Sequence, residues 1–317
     1  MKSPILCASI VLALCFAATS FAGQAISDGK SGKKIIQEPI APEAAWLVNV
    51  RASHTFESDF SRGQKHGASG DSAMEQIDIS HRFSLAGAGL PTLTADGAWY
   101  FRVGAAYTRW DFDNSGGLPL PNHLQSANAK IALEYLVKGH TGFLLETEPG
   151  IYFEDDIHSD NFDAPTKLAL AYPVSDRFLI VGGVSYSALR TYQFFPIVGF
   201  IWTINDHWTI NALPPEPRII YTASDKLSIW AGGELAGGSF RTDSRDLREK
   251  KSLNNAVLTY SERRAGVGLT YRVCNACEIE LGGGYAFQRK FDFHRAEEGF
   301  ETDEGAPYLK VQLSGAF

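Results

Sequence analysis

Apolar and polar residues alternate along most of this chain with a period of two. In residues 307–317, Leu309, Val311, Leu313, Gly315 and Phe317 alternate with Tyr308, Lys310, Gln312 and Ser314. Near the other end, Trp46, Val48, Val50, Ala52 and Phe56 alternate with Asn49, Arg51, Ser53, Thr55 and Glu57. The same beat recurs through Ile77, Ile79, Phe83 and Leu85, through Trp99, Phe101, Val103, Ala105 and Tyr107, and through Ala127, Ala129, Ile131, Leu133, Tyr135 and Val137. Successive side chains of a strand point to opposite faces, so each such segment predicts a strand with one greasy and one polar face.

The connections sort into two classes. Ser175-Asp176-Arg177-Phe178, Asn205-Asp206-His207-Trp208, Ser224-Asp225-Lys226-Leu227 and Cys274-Asn275-Ala276-Cys277 are tight turns; the connections 86–97 and 138–142 are expected on the same side as these. Longer polar or charged segments lie between, including residues 58–72, 114–122, 154–163, 241–251 and 297–304. Short turns alternating with long loops are the mark of a transmembrane barrel, and the segments reach the roughly 9–11 residues needed to cross a bilayer at a tilt. The expectation is all-β: a single transmembrane antiparallel β-barrel of about 14 strands, even in number so that both ends face one side. Pro214, Pro215 and Pro217 make residues 208–221 two short strands around a loop, since proline cannot donate to a ladder. If that hairpin does not span, the count is about 12.

The first residues change the picture of location. Lys2 precedes an apolar run from Ile5 to Ala18, with Ser20-Phe21-Ala22 placed for cleavage. Residues 1–22 read as a secretory signal, too short for a membrane-spanning helix. Leu14 before Cys15 speaks against a lipoprotein. Residues 23–43 read as a polar periplasmic lead, which leaves the barrel as residues 44–317. Cys7 and Cys15 leave with the signal, so stability does not rest on a disulfide framework. The net charge of -7 argues against a nucleic-acid partner.

An alternating strand that ends in a terminal aromatic, here Phe317, resembles the C-terminal signal strand of Gram-negative outer-membrane β-barrels. Pro214-Pro215-Glu216-Pro217-Arg218-Ile219-Ile220-Tyr221, followed by Trp230-Ala231-Gly232-Gly233-Glu234-Leu235-Ala236-Gly237-Gly238-Ser239-Phe240, resembles an uncharacterised family of outer-membrane β-barrel proteins. The resemblance implies fold and an outer-membrane location, with outer-membrane lipid and, through Phe317, the barrel-assembly machinery as partners. It implies no substrate.

Candidate chemistry is sparse. Lys130, Glu134, Glu146 and Glu148 share the polar face of neighbouring strands, with Glu134 and Glu146 roughly opposed. They read either as an ion-selective pore lining or as a salt-bridged interior. Arg241, Arg245, Arg248, Arg263 and Arg264 gather near one outer loop; they read as contacts to lipopolysaccharide phosphates or as partners of Asp243, Asp246 and Glu249. The acidic loop 154–163 lacks the spacing of a calcium loop and reads as solvated. Cys274 and Cys277 form a local disulfide or two idle thiols. No serine, histidine and acid fall into a nucleophile set, so no catalytic residue, cofactor or metal is assigned. The expected function is a passive porin-like channel for small hydrophilic solutes, with small inward residues such as Gly182, Ala132, Gly284 and Ala286 leaving room. The alternative is a non-conducting structural or surface-interaction barrel.

Overall fold

The computed structural model describes residues 45–316 apart from 63–64, 87, 92, 94–96, 117–118, 138–139, 244–252, 275 and 303. The expected signal (1–22), the lead (23–43), Arg245, Arg248 and Phe317 lie outside the described residues.

Seventeen hydrogen-bonded segments form one sheet that returns on itself. Three of its strands are each interrupted once, so the barrel has fourteen strands. They are β1 (Ala45–Arg62), β2 (Lys65–Ser84), β3 (Gly97–Gly116), β4 (His123–Val137) and β5 (His140–Thr147, continued by Gly150–Phe153). Then come β6 (Phe162–Asp163 and Thr166–Ser175), β7 (Phe178–Tyr186), β8 (Phe194–Thr203), β9 (Trp208–Asn211) and β10 (Arg218–Ser224). β11 (Leu227–Arg241), β12 (Val257–Cys274), β13 (Cys277–Phe293) and β14 (Glu298–Thr302 and Ala306–Ala316) complete the circuit. Pro149 and Pro165 stand at the breaks in β5 and β6, where a missing N–H cannot continue the ladder.

Each strand pairs antiparallel with the next, and β14 closes on β1 from Leu47↔Ala316 to Thr55↔Tyr308. Both described ends therefore sit at the turn end of the barrel, as the even count requires. Residues 58–72 depart from the expected loop. The β1–β2 ladder continues past Ser58↔Gly70 to Arg62↔Lys65, so this stretch is a tall hairpin. The wall is uneven as a result. β1 to β3 run 18 to 20 residues, while β9 and β10 have 4 and 7.

The alternation sorts side chains as anticipated. Ile77, Ile79, Leu168, Leu170, Val198, Ile219, Val267, Leu269 and Leu281 stand exposed on the outside. Exposed aromatics edge this belt: Trp46, Tyr172, Trp202, Trp208 and Tyr271 towards the turns, Phe56, Tyr107, Phe194, Tyr285 and Phe287 towards the loops. Among the described residues no helix is long and apolar enough to cross a membrane.

Two features of the interior were not anticipated. At the loop end, Phe60, Trp110, Phe112, Tyr260, Phe291 and Phe293 point inward and pack into one buried cluster with Leu189 and Leu253 from the loops. The tall strands thus carry a side-chain core above the belt. Of the small residues expected to leave inner room, Ala132 and Ala286 are buried inside. Gly182 instead pairs with the outward Val198, and a side chain there would meet open space.

Inward glycines have a different task. A Cβ on Gly268 would stand 2.4 Å from both the Leu281 carbonyl and the Trp230 ring, and one on Gly282 would lie 2.7 Å from the same indole. The indole lies flat over both glycines and packs where two side chains are missing. Gly268→Val is expected to destabilise the barrel by about 1–3 kcal/mol through overpacking. Gly182→Ala should leave stability unchanged. The urea midpoint of refolding into detergent, followed by heat-modifiable gel mobility, checks both.

Candidate functional site

Charges spaced two residues apart fall on one face of a strand, and the barrel turns those faces inward. β2 to β6 bring together one network. The Nε atoms of Arg82 and Arg102 both donate to Glu134 at 2.8 Å, and Arg102 Nη2 donates to Glu146 at 2.6 Å. Lys167 Nζ lies 3.2 Å from Glu146 and 3.4 Å from Glu148, while Lys130 is bonded to Asp78 and stands 3.8 Å from Glu148. The four residues singled out in the sequence are therefore together. Glu134 and Glu146 are not direct partners, however: they pair with Leu144 and Ala132, and Arg102 bridges them. The like-charge repulsion expected across the two strands is thereby removed.

A second network, which sequence reasoning missed, lies across the lumen. The segment 212–217 between β9 and β10 folds into the barrel and carries Glu216 to Arg51 of β1, to Arg218, and to within 3.5 Å of Lys310 on β14. Arg218 donates to Glu280 at 2.6 and 2.9 Å. Lys310 Nζ reaches Glu234 at 3.0 Å and Glu280 at 3.2 Å. Arg264 lies 2.5 Å from Glu262, whose carboxylate also accepts from Ser72, Thr55 and Tyr260. The Arg218 guanidinium stacks 4.2 Å above the Trp230 ring. The only sequence signal was the i, i+2 charge spacing in Glu216/Arg218, Glu262/Arg264 and Glu278/Glu280.

Arg264 corrects an expectation. It was grouped with arginines facing surface lipid, but it is 2 % exposed and points into the lumen. Alternation decides this: Arg263 takes the outward face of β12 and Arg264 the inward one. Arg263 is exposed, in register with Leu235 and Gln288, at the rim of the apolar belt. Arg241 joins two loops. It donates to the Asp160 carbonyl at 2.8 Å and to the Asn255 carbonyl at 3.0 Å. Nearby, Asp243 accepts from the Asp155 and Asp156 backbone N–H groups. Burial pushes the Asp243 carboxyl up, and the Asn255 amide holds the Asp160 carboxyl below its ordinary range. The acidic loop 154–161 is thus pinned to the end of β11. Cys274 and Cys277 are free thiols facing each other across the last turn. Among the described residues no group of three or more His, Cys, Asp or Glu is placed to hold a metal.

Beside the networks lies a cavity of about 1120 Å³. It reaches from Thr141, Arg177, Thr203 and Thr222 at the turn end to Tyr152, Asp163, Ser187 and Arg190 at the loop end. Glu146, Glu148, Lys167 and Arg218 line one side of it; Lys130 and Glu134 sit behind them. The rest of the lining, on the inner faces of β6 to β10, is an apolar band, Ala169, Ala171, Leu179, Val181, Ile197, Ile201 and Ile220, between Ser185 towards the loops and Thr203, Thr209, Asn211 and Thr222 towards the turns.

Arg264 is the buried hub of the second network. Arg264→Leu would leave the buried Glu262 without its guanidinium, while Glu234 keeps Lys310 and Arg51, and is expected to destabilise the barrel by about 3–5 kcal/mol. Arg264→Leu combined with Glu262→Leu should recover part of that loss. Urea unfolding of the reconstituted single and double variants measures both.

Comparison with known proteins follows this geometry. No match is found among curated proteins. Among solved structures, the COG4313 outer membrane channel from Pseudomonas putida F1 is similar at 10% identity and a TM-score of 0.46, over 88% of this chain and 97% of that one. OprB from Pseudomonas putida is similar at 6% identity and a TM-score of 0.35, over 87% and 94%. A FadL homologue from Pseudomonas aeruginosa is similar at 9% identity and a TM-score of 0.32, over 87% and 90%. Residues 42–314 match the family described as Domain of unknown function (DUF6268), and the chain belongs to that family.

Proposed function

We propose that this chain is a passive channel of the outer membrane of a Gram-negative bacterium, admitting small solutes through its lumen. The observation that carries the reading is the cavity, which runs between the two ends of the barrel beside a wall of paired charges. The exposed apolar belt edged by aromatics supports a lipid surround. Paired charges line one side of the path without adding a large net field, which suits small hydrophilic solutes of either sign or none. The inward segment 212–217 is the constriction: it stands in the lumen and is tied to the opposite wall through Glu216.

A second reading keeps the barrel non-conducting, with its loops as the working surface. The apolar cluster at the loop end favours it, since that part of the lumen is filled. On this reading Arg263, exposed at the rim of the belt, is the arginine that would meet lipopolysaccharide phosphates.

Recording from refolded protein in a planar bilayer separates the two. Discrete conductance steps are expected. Glu148→Lys and Glu146→Lys should move ion preference towards anions, because the lining would lose acceptors while Arg102 and Lys167 keep their charge. Glu216→Ala should raise unit conductance by releasing the inward segment from Arg51 and Lys310. Silence from a preparation with native gel mobility would leave the surface reading standing.

A further inference from the structure

The barrel wall is not continuous over its whole height. The ladder between β8 and β9 ends where the Ala212 N–H meets the Phe200 carbonyl at 2.8 Å. The ladder between β10 and β11 ends where Gly233 and Leu235 donate to the Pro217 and Pro215 carbonyls, both at 2.9 Å. Above these bonds the chain has left the wall, because segment 212–217 turns into the lumen. Residues 194–199 of β8 then pair with β7 alone. Residues 236–241 of β11 pair with β12 and, at Arg241, lean across the mouth to Phe153 of β5. All of these residues are described, and no ladder joins β8 to β11 among them.

This gap lies in the loop-side half of the apolar belt, between the outward Phe194 and Val198 on one lip and Leu235 on the other, each more than half exposed. Unpaired sheet edges survive in hydrocarbon only where they line a cavity or are covered by protein. Pro196, in the middle of the β8 lip, has no N–H to leave unpaired. The cavity reaches both lips: Phe195, Ile197, Leu235 and Gly238 line it, with Leu213 and Pro215 as the sill. Behind the gap stands the apolar inner wall of β6 to β10.

A guanidinium stands at the top of this apolar space. Arg190 lines the cavity and also a cleft of about 510 Å³ at the mouth. Its Nη1 donates to Ser185 Oγ at 2.8 Å, and among the described residues it makes no ion pair, although the Asp163 carboxylate acts on its charge. The Asp163 carboxylate, at the same end of the cavity, is taken up by Ser187 Oγ at 2.6 Å and by the backbone N–H groups of Ala164, Ala188 and Leu189.

We propose that the gap between β8 and β11 is a side entrance from the outer leaflet. Its substrates are small amphiphiles with an apolar body and one carboxylate, whose carboxylate is received by Arg190. The body slides over the sill against Ile197, Val181 and Leu179. This rests on the channel reading above and names a solute class and a route for it.

The test uses a Gram-negative host expressing the full chain, with radiolabelled decanoate and decanol as matched probes. Arabinose swelling of proteoliposomes made from the same proteins is the control for the lumen. Wild-type chain should raise decanoate uptake clearly above cells without it. Arg190→Gln should lower decanoate uptake about tenfold and spare decanol, since a charged hydrogen bond to a carboxylate is at stake. Val198→Glu, which puts a charge on the outward side of the lip, should lower both probes about tenfold. Val198→Trp narrows the same lip without a charge and should also lower both. Neither lip variant should alter arabinose swelling, since Val198 does not line the cavity. Decanoate uptake that ignores both lip variants, or that wild type does not raise, overturns the side entrance even if arabinose passes. Loss of arabinose swelling together with the probes also overturns it, because the lip would then be part of the common path. A wild-type chain that passes no arabinose removes the channel reading instead.

Discussion

Closure of β14 onto β1 is the constraint on which the rest of the structure depends. Nine consecutive residue pairs, Leu47↔Ala316 to Thr55↔Tyr308, join strands from opposite ends of the sequence. Without that seam, the first and last strands would present two rows of unpaired backbone groups to lipid, each group costing several kcal/mol. With it, side chains need not protect the backbone, and one face of every strand is free to be greasy. The alternation of apolar and polar residues then becomes an outside and an inside. Such long-range pairing is slow to form, because loop closure precedes any reward.

Once the inside is enclosed, its charges must find one another. A carboxylate or guanidinium removed from bulk water needs a partner and hydrogen bonds, or it is expelled. The barrel meets this by placing cations between anions: Arg102 between Glu134 and Glu146, and Lys310 among Glu216, Glu234 and Glu280. The second network also draws a segment of wall inward through Glu216. A feature of electrostatics thereby becomes a feature of shape, because where segment 212–217 goes in, the wall above it is left open. The apolar side of the lumen, on β6 to β10, faces that opening.

The two ends of the barrel differ for related reasons. At the turn end the strands are joined by two- to four-residue connections, except for residues 85–96 between β2 and β3, and the cavity meets water among threonines. At the loop end the tall strands β1 to β3 and β12 to β14 rise beyond the belt, where no lipid covers them. Their inner faces there are aromatic, and they pack on each other and on Leu189 and Leu253 as a soluble core would.

Much of this was legible in the sequence. Period-two alternation determines strands and their two faces, and alternating connection lengths determine an antiparallel barrel. The prolines at 214, 215 and 217 mark the hairpin that leaves the wall. Local pattern sufficed because a strand reports its own faces one residue at a time. It also placed Glu134 and Glu146 on one inner surface, since they lie on neighbouring strands. It failed for Arg264, which a one-residue difference in register turns from lipid rim to buried hub. It also failed for residues 58–72, whose serines and glycines look like a loop until a partner strand pairs them. Only the tertiary structure decided the second charge network, the filled outer end and the gap between β8 and β11. Each depends on residues tens to hundreds of positions apart meeting across a lumen, and no local period encodes which inward charge will face which.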